Sequence, residues 1–361
     1  MVRARKILTE CTKECAATRL CLLPRLVYAS EESRTGIPLL THQLVAADKR
    51  GSALLFITPE GTIVRALEMP SPPHEIVLSA DKRRAFVSMY GTGTFGNNPD
   101  PGFEIQVMDL ETSQSCEAIS IAPYNSPHGL TFDSFGALWT SCDRHGVVLA
   151  ISIATGTVLG SVETGSHGTH WVLGTPDGRK LFTSNKHDPF IGVIDPKRKQ
   201  MTRKIAVPHG VEGLCFSPDG RWLFAADRCR PEVLRIDAER EELVETIVLK
   251  GLEGDRAISP HHMRLRVSPD GRVLAVAAHH YDRLVLLQTA DLTQQKTLVT
   301  GKGPMALAFL PDHRSHLYLS NHDEGTLSIV DIAQMRILQT LPCGHGVESM
   351  EFFPCGDQPS S

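Results

Sequence analysis

The chain has 361 residues, of which 41% are hydrophobic and 22% charged, with a formal net charge of -4. This is the composition of an ordinary folded protein and excludes wholesale disorder. The absence of a basic surplus argues against nucleic acid or an anionic membrane as partner, and no apolar run reaches the roughly 18 residues of a membrane-spanning helix.

Residues 1–40 lie ahead of any repeat and are expected to form an extension outside the main domain. Lys6, Glu10, Lys13, Glu14 and Arg19 interrupt what would be the apolar core of a signal peptide, so a cytoplasmic location is expected. The nine cysteines are irregularly spaced, with no C-x-x-C pair, and read as reduced thiols. Cys11, Cys15 and Cys21 invite comparison with a metal-binding tail. No paired His or Cys pattern follows them, so small apolar thiols on a short helix are the simpler expectation.

From Leu44 onward the sequence repeats. LVAADKRGSALLFITPEGTIVRALEM, Leu44 to Met69, supplies three strand-like runs without a first one. Units then begin near His74, His128, His170, Glu212, His262, Met305 and Glu348, at spacings of 54, 42, 42, 50, 43 and 43 residues. Each full unit holds four short alternating runs separated by turn signals such as the Pro-Asp-Gly beginning at Pro176, Pro218 and Pro269. Four strands per roughly 40–45 residues predict an all-β, seven-bladed propeller over residues 41–355, with a short tail at 356–361. The seventh start has almost no chain after it. Residues near 347–353 are therefore expected to complete the N-terminal blade, beside the run at 53–58, and so remove both sheet edges.

The units resemble YVTN-type seven-bladed propellers: an SPDG turn, an apolar strand, then a V-I-D strand as in TLSIVDIAQMRILQTL. The second unit, SPHGLTFDSFGALWTSCDRHGVVLAISIATGTVLGSV, is more similar to the virginiamycin B lyase group. That resemblance implies metal-dependent chemistry by His and Glu near a central channel.

In such a fold the loop entering each inner strand and the loop between second and third strands open on one face. Thirteen of the sixteen histidines fall in these two loop classes, including His74, His128, His167, His170, His209, His261, His262 and His345 at strand entries, and His145, His187, His279, His280 and His322 between second and third strands. Only His42, His313 and His316 lie elsewhere. The ring position itself reads His74, His128, His170, Glu212, His262, Met305, Glu348, where average usage would give about 0.3 His. Imidazoles converging on a pore suit a divalent ion such as iron, zinc or magnesium. His74, His128, His170 and His262 are the expected ligands, and Glu212 and Glu348 the expected acid/base residues. A ring of polar groups bound to channel water is the plainer alternative.

Tyr90, Trp171, Arg228, His280 and His322 are expected to contact substrate, with Lys186 in the same loop class as Arg228. The long loop YGTGTFGNNPDPG from Tyr90 to Gly102 matches G-x-G-x-x-G, yet no helix can follow Asn97-Asn98-Pro99, so it reads as a lid or wall and not as a dinucleotide site. The leading functional expectation is a monomeric, metal-dependent lyase or hydrolase opening a lactone or ester of a small polar molecule. Two alternatives stand: a non-haem iron oxygenase, after the four-His propeller site of the carotenoid cleavage oxygenases, and a non-catalytic propeller that binds a ligand or protein.

Overall fold

The computed structural model describes residues 42–252, 262–311 and 315–355. Calls on residues 1–40, His261, His313 and the tail at 356–361 lie outside them. The described residues form seven four-stranded antiparallel sheets. Blades 1 to 6 run in chain order with inner strands Pro73–Leu78, Pro127–Phe132, Thr169–Gly174, Val211–Phe216, Met263–Val267 and Pro304–Phe309. In blade 7 the inner strand is Val347–Pro354, followed outward by His42–Asp48, Ala53–Ile57 and Ile63–Glu68.

The closure expected from sequence is therefore present, with one correction. The C-terminal strand pairs with His42–Asp48, Leu44 facing Phe352 and Ala46 facing Met350, and the run at 53–57 lies one strand further out. Order from inside to outside follows chain order in the other blades, so the first of the three N-terminal strands has to be the neighbour of the inner one.

Middle strands are apolar on both faces because each blade packs against two others; outer strands alternate or are exposed, as in Gln114–Ser120. Seven hydrophobic clusters lie one between each adjacent pair of blades. Leu44, Tyr318 and Met350 join blades 6 and 7, Val45, Ile76 and Met108 join 7 and 1, and Phe86, Leu130 and Leu149 join 1 and 2. The core is thus a closed circle of interfaces around a channel. The six described cysteines are all free. No helix among the described residues is long and apolar enough to cross a membrane.

The local feature that shapes the channel mouth is a β-bulge. In blade 1, Pro73 pairs with Met89 and Ile76 with Val87, so His74 and Glu75 together oppose Ser88. The same two-against-one arrangement recurs in blades 2, 3, 4 and 6, and blade 7 has a register shift at the matching place. Bulges leave a backbone N–H without a ladder partner and re-aim a side chain. Here a serine on the second strand fills the gap: the Glu75, Gly129, Trp171 and Ala306 N–H groups donate to the hydroxyls of Ser88, Ser141, Ser184 and Ser320 at 2.8–3.0 Å. Blade 5 is the exception. Met263, Arg264 and Leu265 pair in unbroken register with Ala278, Ala277 and Val276.

Candidate functional site at the channel mouth

The missing bulge corrects the ring expected from sequence. With one residue fewer between its anchor pairs, blade 5 presents Arg264 opposite Ala277, where the bulged blades present the ring residue, and His262 falls just before the strand. Arg264 is buried and reaches across the channel, its Nη1 donating to Glu75 Oε1 at 2.7 Å and its Nη2 lying 3.7 Å from Glu348 Oε2.

The remaining groups form a closed circuit around the mouth. The His74 and His128 rings are 4.1 Å apart between centroids, and His128 and His170 3.7 Å. His170 Nδ1 lies 3.8 Å from Glu212 Oε1, and the same oxygen lies 3.3 Å from His262 Nε2. His262 leads to His279 at 5.2 Å and His279 to His322 at 6.0 Å between centroids. Glu348 closes the circle, 3.5 Å from His322 Nε2 and 3.7 Å from His74 Nε2. Blade 6 offers only the buried Met305 at its ring position, and His279 and His322 span that gap from loops between second and third strands.

The four expected ligands therefore lie along an arc and do not meet at one point. The donor atoms that converge within 4.8 Å are those of His74, Glu75 and His128. His170 stacks beyond His128, and His262 belongs with Glu212 and His279. Glu75 carried no sequence signal because the bulge alone brings a second residue of that strand to the mouth. A second convergent group is His279, His322 and Asp323.

Burial sets the protonation of this surface. It pushes the His74 pKa down and those of His128, His170 and His262 well down, with neighbouring positive groups adding to the effect on the last three. Burial takes His279 to about 4. His322 goes the other way: burial opposes its charge, but Glu348 and Asp323 outweigh burial and raise it. Burial likewise opposes ionisation of Glu348, and His74, Lys49 and His322 overcome it, holding the carboxyl well below its ordinary range. Asp143 is raised to about 7 by burial.

The expected substrate-contact residues take different places. Tyr90 is buried, packs 4.9 Å from His74 and 5.7 Å from His128, and donates its hydroxyl to Asp143 Oδ2 at 2.5 Å. It is part of the wall under the imidazoles. Trp171 lies along the channel with the Arg264 guanidinium 4.5 Å over its ring. Trp171 and Arg264 line a cavity of about 270 Å³ that runs from Glu75 and Glu348 to Arg266 and Glu351 — the latter two an ion pair at 2.8 Å. Arg228 donates to the Lys186 carbonyl at 3.0 Å, and His280 sits against His279. Lys186, nearly buried, binds Glu212 Oε1 at 2.9 Å, and burial pushes its pKa down.

The long loop of blade 1 extends over this surface as expected of a wall. Phe95 reaches His170 at 5.4 Å and His187 at 5.3 Å, and the Lys186 ammonium lies 4.6 Å over its ring. Asn98 anchors the loop base by donating to the Tyr90 carbonyl and the Ser126 hydroxyl, and Arg144 donates to the Gly96 carbonyl.

No protein-family model matches the chain, and no curated protein sequence matches it. Solved structures do. Hydrazine synthase of Kuenenia stuttgartiensis superposes with a TM-score of 0.64 and 18% identity, covering 78% of this chain and 90% of that one. The periplasmic gluconolactonase of Pseudomonas aeruginosa superposes with a TM-score of 0.68 and 19% identity, covering 86% and 99%. At such identities the likeness is one of fold, and with the seven closed sheets it makes this chain a seven-bladed β-propeller.

Proposed function

We propose that the protein is a hydrolase that opens a lactone of a small polar molecule at the histidine-lined mouth. The observation that carries the reading is the run of three touching imidazoles, His74, His128 and His170, flanked by Glu75, Glu212 and Glu348. The architecture shared with a gluconolactonase supports it.

The donor set fits a divalent ion. His128 Nδ1 is buried without a hydrogen-bond partner, the His74, Glu75 and His128 donor atoms converge, and burial keeps the imidazoles neutral, as metal ligands must be. His74, Glu75 and His128 would hold the ion, with Arg264 fixing the Glu75 carboxylate. When bound, it would supply polarisation of the ester carbonyl oxygen.

Of the two carboxylates expected to move protons, we assign the base to Glu212, which has one ammonium against it, Lys186, whose charge burial disfavours. Glu348 is surrounded by Lys49, Arg264, His74 and His322, and a carboxylate held that far below its usual range accepts a proton poorly. Glu212, held through Oε1 by Lys186, takes a proton from water at Oε2 as the water oxygen bonds to the carbonyl carbon. It returns that proton to the ring oxygen as the ring C–O bond breaks. Lys186 and His262 steady Glu212, and Phe95 walls the site from bulk water. A monomer in the cytoplasm acting on a small molecule remains part of this proposal.

The test is a pH-stat assay over a panel of five- and six-membered sugar and alkyl lactones, comparing the wild-type protein with Glu212→Gln. The variant keeps its shape and should lose about 10²–10⁴-fold in rate on whichever lactone is opened. Equal rates for the two proteins on every lactone would overturn the reading.

A further inference from the structure

We propose that His279, His322 and Asp323 form a second metal site, on the rim of the mouth, for a divalent transition ion of the zinc class. Nothing in the lactone reading requires it.

The two loops that build the site come from adjacent blades. His279 opens the 3-10 turn His279–Tyr281 between second and third strands of blade 5. His322 and Asp323 follow the second strand of blade 6, His316–Asn321. Their donor atoms lie within 4.8 Å of one another. The Asp323 carboxylate stands between the rings, Oδ2 at 3.4 Å from His279 Nε2 and Oδ1 at 3.0 Å from His322 Nδ1. Two imidazoles and a carboxylate are a three-ligand set that leaves positions for water.

Two independent features support a ligand here. The first is the space. Gly303 adjoins the donors, and a Cβ at that position would come within 2.6 Å of Asp323 Oδ2 and 2.9 Å of His279 Nε2. A side chain there would press on two of the three donor groups. The second is the outer partner. His322 Nε2 faces Glu348 Oε1 at 3.5 Å, and His322 is nine-tenths buried. With Glu348 behind Nε2 to take up that N–H, an ion can displace the proton that Nδ1 shares with Asp323 and bind Nδ1. Arg50 presently pairs with Asp323 Oδ1 at 2.7 Å, but it is half exposed and can turn to solvent as a cation arrives.

The experiment uses the full chain stripped of metal and titrated with Co²⁺, following visible absorption and calorimetric stoichiometry. His279→Gln, Asp323→Asn and Gly303→Ala should each weaken one equivalent at least 10-fold, and His128→Ala should leave that equivalent in place. Far-UV circular dichroism on the same samples identifies any variant that fails to fold, and the exposed Asp323→Asn then decides. Loss of a single equivalent in the rim variants but not in His128→Ala supports the rim site even if no lactone is ever opened. No Co²⁺ binding by the wild-type protein, or wild-type affinity and stoichiometry in both His279→Gln and Asp323→Asn, would overturn it.

Discussion

Asp143 offers a quantitative check on the electrostatics of the mouth. It is 3% exposed, one oxygen accepts the Tyr90 hydroxyl, and the other is buried without a partner. Burial lifts its pKa from 3.8 to about 7, a rise of about three units, and each unit corresponds to 1.36 kcal/mol. Ionised in the folded state, Asp143 therefore costs about 4 kcal/mol. The folded pKa lies above the unfolded one, so the folded protein binds the extra proton. Its stabilising effect is complete below pH 3.8 and is lost as pH rises through about 7. Asp143→Asn removes the charge and keeps an oxygen to accept from Tyr90. Its added amide N–H groups cost the same at every pH and cancel in a comparison between two pH values, as do the histidine titrations common to both proteins. From pH 5 to pH 8 the variant should gain about 2.5 kcal/mol on the wild-type protein. Urea unfolding of both proteins at the two pH values measures this difference. A gap that stays constant from pH 5 to pH 8 would refute the reasoning.

Three further outcomes are expected. Deleting residues 346–361 removes the inner strand of blade 7 and exposes the edge of His42–Asp48, so the product should aggregate on size-exclusion chromatography; melting like the full chain would contradict the closure. Gly129→Ala places a Cβ 2.6 Å from the Val172 backbone nitrogen and 3.0 Å from Trp171 Cα, which should destabilise the protein by about 1–3 kcal/mol in denaturant unfolding. Glu348→Gln leaves Lys49, Arg264 and His322 without their shared anion, and the unfolding free energy at pH 7 should fall by about 3 kcal/mol.

The blade count and the closing strand were legible because strand alternation and turn residues recur at nearly constant spacing. Ring residues His74, His128, His170, Glu212 and Glu348 were legible for the same reason: their distance from the first strand anchor is constant. His262 was misplaced because that distance changes in blade 5, where one residue is absent from the bulge, and neither side of the deletion alters the hydrophobic pattern. Arg264 carried no sequence signal for the same cause. Glu75 reaches the mouth only through the bulge, Asp143 through the packing of blade 2 on blade 1 and Lys49 through ring closure, and no local pattern marks them. His187, His279, His280 and His322 were assigned to the face on which the structure places them, yet the convergence of His279 with His322 depends on how two neighbouring blades pack.

The bulge at the mouth also bears on how such a chain changes over generations. Inserting or deleting one residue in a strand ordinarily turns every later side chain to the opposite face, burying polar groups and exposing the core. At the two-against-one position an insertion or deletion is absorbed on the spot, since the anchor pairs before and after it stay in register, as Met263 with Ala278 and Leu265 with Val276 show. A single codon lost there trades two channel-facing candidates for one and leaves the hydrophobic interfaces untouched. A blade thus holds one point where the chemistry of the pore can change with length alone, and blade 5, with Arg264 in the channel, shows the shorter form.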